Sequence, residues 1–97
     1  MALKILWTLQ AEKGYDDIIN YLAEKWTDRE IQNFINETKQ FLDPLNRNPH
    51  ILQPSSTRQN IYRGPINPLT IVTYRLRPQK KVIELLNIRA ARQRPTK

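Results

Sequence analysis

Two helix-forming stretches meet at Trp26–Thr27 with almost no linker between them, and that junction constrains the fold more than anything else in the 97-residue chain. In the first stretch, from Leu9 to about Lys25, Tyr15, Ile18, Ile19, Leu22 and Trp26 fall on one helical stripe, opposite Glu12, Lys13, Asp16, Asp17, Glu24 and Lys25. In the second, Ile31, Phe34, Ile35, Thr38, Phe41 or Leu42, and Leu45 repeat the three-and-four spacing, and Pro44 marks the last turn. Thr27 and Glu30 have the spacing of a capping box, and Asp28 adds favourable charge at the new N-terminus. Helices joined this tightly fold back as an antiparallel hairpin whose stripes are core. Gly14 costs the first helix about 1 kcal/mol relative to alanine, so either packing offsets it or the backbone there approaches another element closely.

The surface that the hairpin covers must come from strands. Leu3, Ile5 and Trp7 alternate with Lys4 and Leu6, and Thr8 can cap the helix that follows. After the helices, residues 59–64, 69–76 and 81–88 read as strands, the last two rich in β-branched and apolar residues. Gly64–Pro65 turns the chain after the first of these, and residues 77–80, with Pro78, make a short hairpin turn between the other two. The order is β-α-α-β-β-β, an α+β domain spanning residues 1–97 with the helical hairpin packed on one face of a small antiparallel sheet. Period two places Val72, Tyr74, Leu76, Val82, Leu86 and Ile88 beneath the helices. It leaves Ile71, Thr73, Arg75, Ile83, Leu85, Asn87 and Arg89 on the open face, with Glu84 awkwardly on the helix side.

Between helix and sheet, residues 46–60 hold two prolines and no periodicity, the pattern of a surface loop with a short extended piece near Ile51 and Leu52. His50 lies in it without a nucleophile or carboxylate placed to orient it, so it reads as a loop histidine rather than a proton shuttle. The charge is divided along the chain. Residues 1–46 carry five Lys and Arg against eight Asp and Glu, a net of −3, whereas residues 47–97 carry eleven against Glu84 alone, a net of +10. A basic half of this kind favours an acidic partner and steers its approach. Without cysteine, and with one histidine, neither a disulfide nor a thiolate or histidine-cluster metal site can form, and no cofactor is expected. There is no membrane-length apolar run, and residues 1–7 are too short for a signal peptide, so a cytoplasmic location is expected.

Several of these residues together resemble the RelE/ParE superfamily of bacterial toxins. They are the strand ending in Trp7, the pattern from Ala11 to Tyr21 with Asp17 and Ile18, Leu45 and Pro49, the run from Ile71 to Arg75, and the ending from Leu85 to Pro95. The resemblance covers nearly the whole chain. It implies the toxic half of a type II toxin–antitoxin operon, forming a hetero-oligomer with a cognate antitoxin whose C-terminal segment wraps the toxin. Ile71, Ile83, Leu85 and Arg75 on the open face are the candidate antitoxin contacts.

Within the superfamily, the RelE branch cuts mRNA on the ribosome, using lysines, arginines and a tyrosine or histidine near the C-terminus. This chain has no lysine pair at Tyr62–Arg63–Gly64 and neither tyrosine nor histidine after Tyr74. Its ending, with Arg89, Arg92, Gln93, Arg94 and Pro95, looks instead like the ParE branch, whose members act on DNA gyrase without cutting RNA; at Arg89 close relatives can carry histidine. On that resemblance Arg63, Arg75, Arg89, Arg92 and Arg94 are the candidate target-binding residues, and a ribosome-dependent endoribonuclease is the alternative.

Overall fold

In a computed structural model, residues 3–91 are described. The chain runs β1 (Lys4–Trp7), α1 (Leu9–Lys25), α2 (Asp28–Leu45), β2 (Gln53–Pro54), β3 (Ile61–Asn67), β4 (Thr70–Arg77) and β5 (Val82–Ala90). The strands form one sheet in the order β1-β5-β4-β3-β2, antiparallel except that β1 lies parallel to β5. Both helices pack on one face of this sheet, over a core that includes Leu45, Tyr62, Val72, Tyr74, Leu76, Ile83, Leu85 and Ile88.

The first helix is fastened at its start. Thr8 Oγ1 accepts the N–H of Ala11 and donates to the carbonyl of Leu85 at 2.7 Å, so one hydroxyl both caps α1 and ties it to β5. One turn on, fully buried Ala11 and then Gly14 present almost no side chain to the sheet. A β-carbon at Gly14 would lie 1.9 Å from the Ile88 carbonyl oxygen, so close backbone approach is the reason for that glycine. Beyond Ile18 the helix leaves the sheet: Ile19 and Leu22 are half-buried and Trp26, expected in the core stripe, is 56% exposed. Phe34 of α2 is buried, stacked on Tyr15 with ring centroids 5.1 Å apart. Thr27 is the N-cap of α2, but its side chain makes no capping bond; its carbonyl accepts from Glu30 N instead, so the capping box does not form.

Two expectations about the strands need correcting. Gly64 and Pro65 do not turn the chain; β3 continues through them to Asn67, and the turn falls at Pro68–Leu69. Because β2 reaches only to Arg63, β3 is an edge strand at Pro65, where a missing N–H is tolerated and the register shifts. The larger correction is in β5. Tyr74 pairs with Leu85 and Thr73 with Asn87, so Leu86 is an extra residue opposite no partner, a β-bulge. A bulge reverses side-chain parity. Ile83 and Leu85, expected on the open face, therefore point beneath the helices and are fully buried, while Val82 and Glu84 move to the open face. The awkward placement of Glu84 disappears with the same shift.

Candidate functional site

The sheet face turned away from the helices is polar and cationic. Cross-strand rows define it: Ile61 of β3 opposite Arg75 of β4, then Arg63 opposite Thr73 opposite Asn87, then Ile71 opposite Arg89. Rows lie about 7 Å apart along the strands and neighbouring strands about 4.8 Å apart. Arg63, Arg75 and Arg89 thus surround the neutral Thr73–Asn87 pair from three strands. They do not gather at one rim of the sheet, as a shared C-terminal edge would require, because antiparallel β4 and β5 carry Arg75 and Arg89 towards opposite ends. Arg92 and Arg94 lie outside the described residues.

One bank of the site comes from the loop. Ser55 N donates to Ile61 O, and Ser55 Oγ accepts from the backbone N–H groups of Thr57 and Arg58, folding residues 55–58 into a tight turn beside β3. The turn sets Arg58 along an open groove of about 590 Å³, which Arg63, Thr73, Asn87 and Arg89 also line. The loop cation Arg58 had no strand pattern to draw attention to it; only its place in the basic half of the chain pointed that way. A second, smaller cleft of about 260 Å³ continues past Asn87 and Arg89 between β5 and Gln10, Lys13 and Gly14 of α1.

Glu84 is the carboxylate that β5 adds to this face. It lies 3.0 Å from Arg77 Nε, but off the N–H axis, so the contact is an ion pair rather than a hydrogen bond. The ring side chains point elsewhere. Tyr62 and Tyr74 stack face to face under the helices, the Tyr74 hydroxyl donates to the carbonyl of Pro49, and His50 Nδ1 lies 2.7 Å from the Tyr62 hydroxyl. Burial pushes the Tyr74 hydroxyl up to about 12. His50 is therefore a clasp that holds the loop to the core, not a free loop histidine. Of the candidate antitoxin contacts, Ile71 and Arg75 are on the open face, whereas Ile83 and Leu85 are closed off in the core. Among the described residues no group of three or more His, Cys, Asp or Glu could hold a metal ion, and no helix is long and apolar enough to cross a membrane.

This fold, a helical hairpin over a five-stranded sheet, is shared by solved structures of toxin–antitoxin systems. The chromosomal ParDE system of P. aeruginosa superimposes with a TM-score of 0.74 at 14% identity, over 92% of this chain and 96% of that one. A variant of the E. coli toxin RelE in the free state gives 0.64 at 15% identity, over 95% and 86%. The intact E. coli RelBE toxin–antitoxin complex gives 0.63 at 14% identity, over 95% and 100%. At these identities the likeness defines the fold. Curated protein sequences gave no significant match. The sequence profile described as ParE toxin of type II toxin–antitoxin system, parDE, matches residues 5–95, and the chain belongs to that family. It is the toxin component of a type II toxin–antitoxin system.

Proposed function

We propose that this toxin arrests growth by binding DNA gyrase through its cationic open face, without chemistry of its own, and is neutralised by a cognate antitoxin. One observation carries the reading: among the described residues, the open face holds several guanidinium groups but no pair of groups fitted to take and give a proton. Cleavage of RNA by 2′-hydroxyl attack needs a base and an acid as well as cations for the phosphate. His50 and Tyr62 are bound to each other on the far side of the sheet, and Tyr74, bonded to a carbonyl, holds its proton up to about 12. Glu84 is tied to Arg77. The arginines stay protonated and suit binding rather than proton transfer.

Membership of the ParE family supports the same target, and the RelBE and ParDE assemblies that share the fold support an antitoxin partner. For that partner, Ile71 and Arg75 remain the candidate contacts on the sheet. The test is to add purified toxin to a gyrase supercoiling reaction and, separately, to a translation reaction with intact mRNA. Supercoiling should stop and the mRNA should survive; mRNA cut at the ribosome with supercoiling untouched would instead establish the endoribonuclease.

A further inference from the structure

We infer that His50 is a positioning residue: through its bond to Tyr62 on the helix side of the sheet, it holds Arg58 in place on the open face. The inference rests on the reading that the open face binds the toxin's target, whichever target that is.

The chain between α2 and β3 passes round the edge of the sheet. It starts on the helix side, where the carbonyl of Pro49 accepts the Tyr74 hydroxyl, His50 Nδ1 meets the Tyr62 hydroxyl at 2.7 Å, and Leu52 packs against the core. It then crosses the edge as β2 and reaches the open face at Ser55–Arg58, which line the groove there. The backbone bridge between the two faces is slight. Among the described residues β2 pairs only Gln53 with Arg63 and Pro54 with Tyr62, and a further bond from Ser55 N to Ile61 O prolongs it. An edge ladder of that length opens easily unless side chains hold it.

The side chains that hold it are on the helix side, and Tyr62 is their centre. Its backbone pairs with Pro54, its ring stacks on Tyr74 at 5.3 Å, and its hydroxyl is bonded to His50, whose ring meets it edge-on at 5.4 Å. Tyr62 is 8% exposed and cannot follow the loop outwards, so its hydroxyl is a fixed post. Beside it Leu52 fills space that only a glycine leaves: a β-carbon at Gly64 would lie 2.8 Å from Leu52 Cδ2. His50 is itself exposed and adds little to the core. Its effect falls on the segment that follows, where Ser55 Oγ accepts from Thr57 N and Arg58 N and so aims the arginine. Arg58 depends on that aim, because a guanidinium binds carboxylate or phosphate as a planar fork.

The experiment is a double-mutant cycle on growth inhibition by the full chain, read as the inducer dose that halves growth at matched protein levels. Arg58→Ala should raise that dose roughly tenfold and His50→Ala roughly three- to tenfold, the scale of one lost or weakened charge-assisted contact. Tyr62→Phe removes the hydroxyl but keeps the ring in the core, and should match His50→Ala. His50→Asn, whose amide stands near the place of Nδ1, should stay close to wild type. Because His50 acts through Arg58, the double variant His50→Ala/Arg58→Ala should be no weaker than Arg58→Ala alone. Amide exchange followed by NMR reads the segment directly: in His50→Ala and Tyr62→Phe, Ser55, Thr57 and Arg58 should exchange faster while Val72 and Ile83 stay unchanged. A double variant that multiplies the two losses, or unchanged exchange from Ser55 to Arg58 in His50→Ala, overturns the inference. If His50→Ala or Arg58→Ala stays fully toxic while Arg89→Ala loses toxicity, the inference falls and the open-face reading stands. If Arg58→Ala and Arg89→Ala both stay fully toxic, both fall. Growth inhibition is read without reference to the target, so a target other than gyrase leaves the result of the cycle valid.

Discussion

Replacing Gly14 with alanine sets a gain in helix propensity against a collision, and the geometry decides which prevails. Alanine favours the helix by about 1 kcal/mol. Its β-carbon, however, would lie 1.9 Å from the carbonyl oxygen of Ile88 and 3.1 Å from the carbonyl carbon, and both obstacles are backbone. Neither partner can step aside cheaply. Ile88 sits in a strand paired along its length with β4, and Thr8 ties the start of α1 to Leu85. The helix must therefore lift off β5 by more than an ångström, thinning the contacts of Ala11 and Ile18 as it goes. Overpacking of this kind costs about 1–3 kcal/mol, and more where backbone has to move. After the propensity gain, a net loss of about 2 kcal/mol is expected, or roughly 8–16 °C in melting temperature for a domain of this size. Thermal unfolding followed by circular dichroism reads it directly. The control is Asn20→Ala on the exposed side of the same helix, where propensity acts alone and the melting temperature should rise slightly. A Gly14→Ala protein that melts at or above the wild-type temperature would refute the close approach of α1 to β5.

Phe34→Ala removes a buried ring stacked on Tyr15 and should cost about 3–5 kcal/mol; a loss under about 1 kcal/mol in denaturant unfolding would mean that α2 presents another face to the core. Tyr74 loses its proton near pH 10 in the unfolded chain but at about 12 in the fold, so its contribution to stability is complete below pH 10 and is lost as the pH climbs through 12. Between those limits the wild type should lose stability more steeply than Tyr74→Phe, and parallel curves would contradict the assignment. Arg89→Ala should abolish growth inhibition on induction while changing folding stability by under about 1 kcal/mol, whereas Lys39→Ala on exposed α2 should stay toxic; the opposite pattern would move the functional surface to the helices.

The helices were legible because their signals are local. The stripe around Ile18, the cap at Thr8 and the stop at Pro44 all lie within a few residues of what they determine, and α1 and α2 begin and end where those signals place them. Thr27 shows the limit of such signals: a capping spacing permits the side-chain bond without requiring it. Parity in β5 failed for a different reason. Period two holds only while a strand has no extra residue, and the bulge at Leu86 reverses it halfway along. The adjacent leucines 85 and 86 carried a trace of this, since both cannot face one core in an unbroken strand. Arg75 and Arg89 were placed on the correct face because β4 has no inserted residue and Arg89 lies beyond the bulge. The clasp of His50 on Tyr62 spans twelve positions and depends on where a loop returns, which no local pattern encodes.

The pairing of β1 with β5 has a consequence for the order of events in the cell. Among the described residues β5 is the only sheet partner of β1, and the Thr8 hydroxyl reaches across 77 positions to Leu85. During synthesis β1, α1 and α2 emerge while the strand that unites them has yet to be made. Contacts so distant in sequence form late and slowly. The basic face, whose Asn87 and Arg89 also belong to β5, is therefore assembled only once β5 has appeared. The binding surface is thus among the last features of the fold to form, which leaves an interval in which a waiting antitoxin can meet the toxin before that surface is complete.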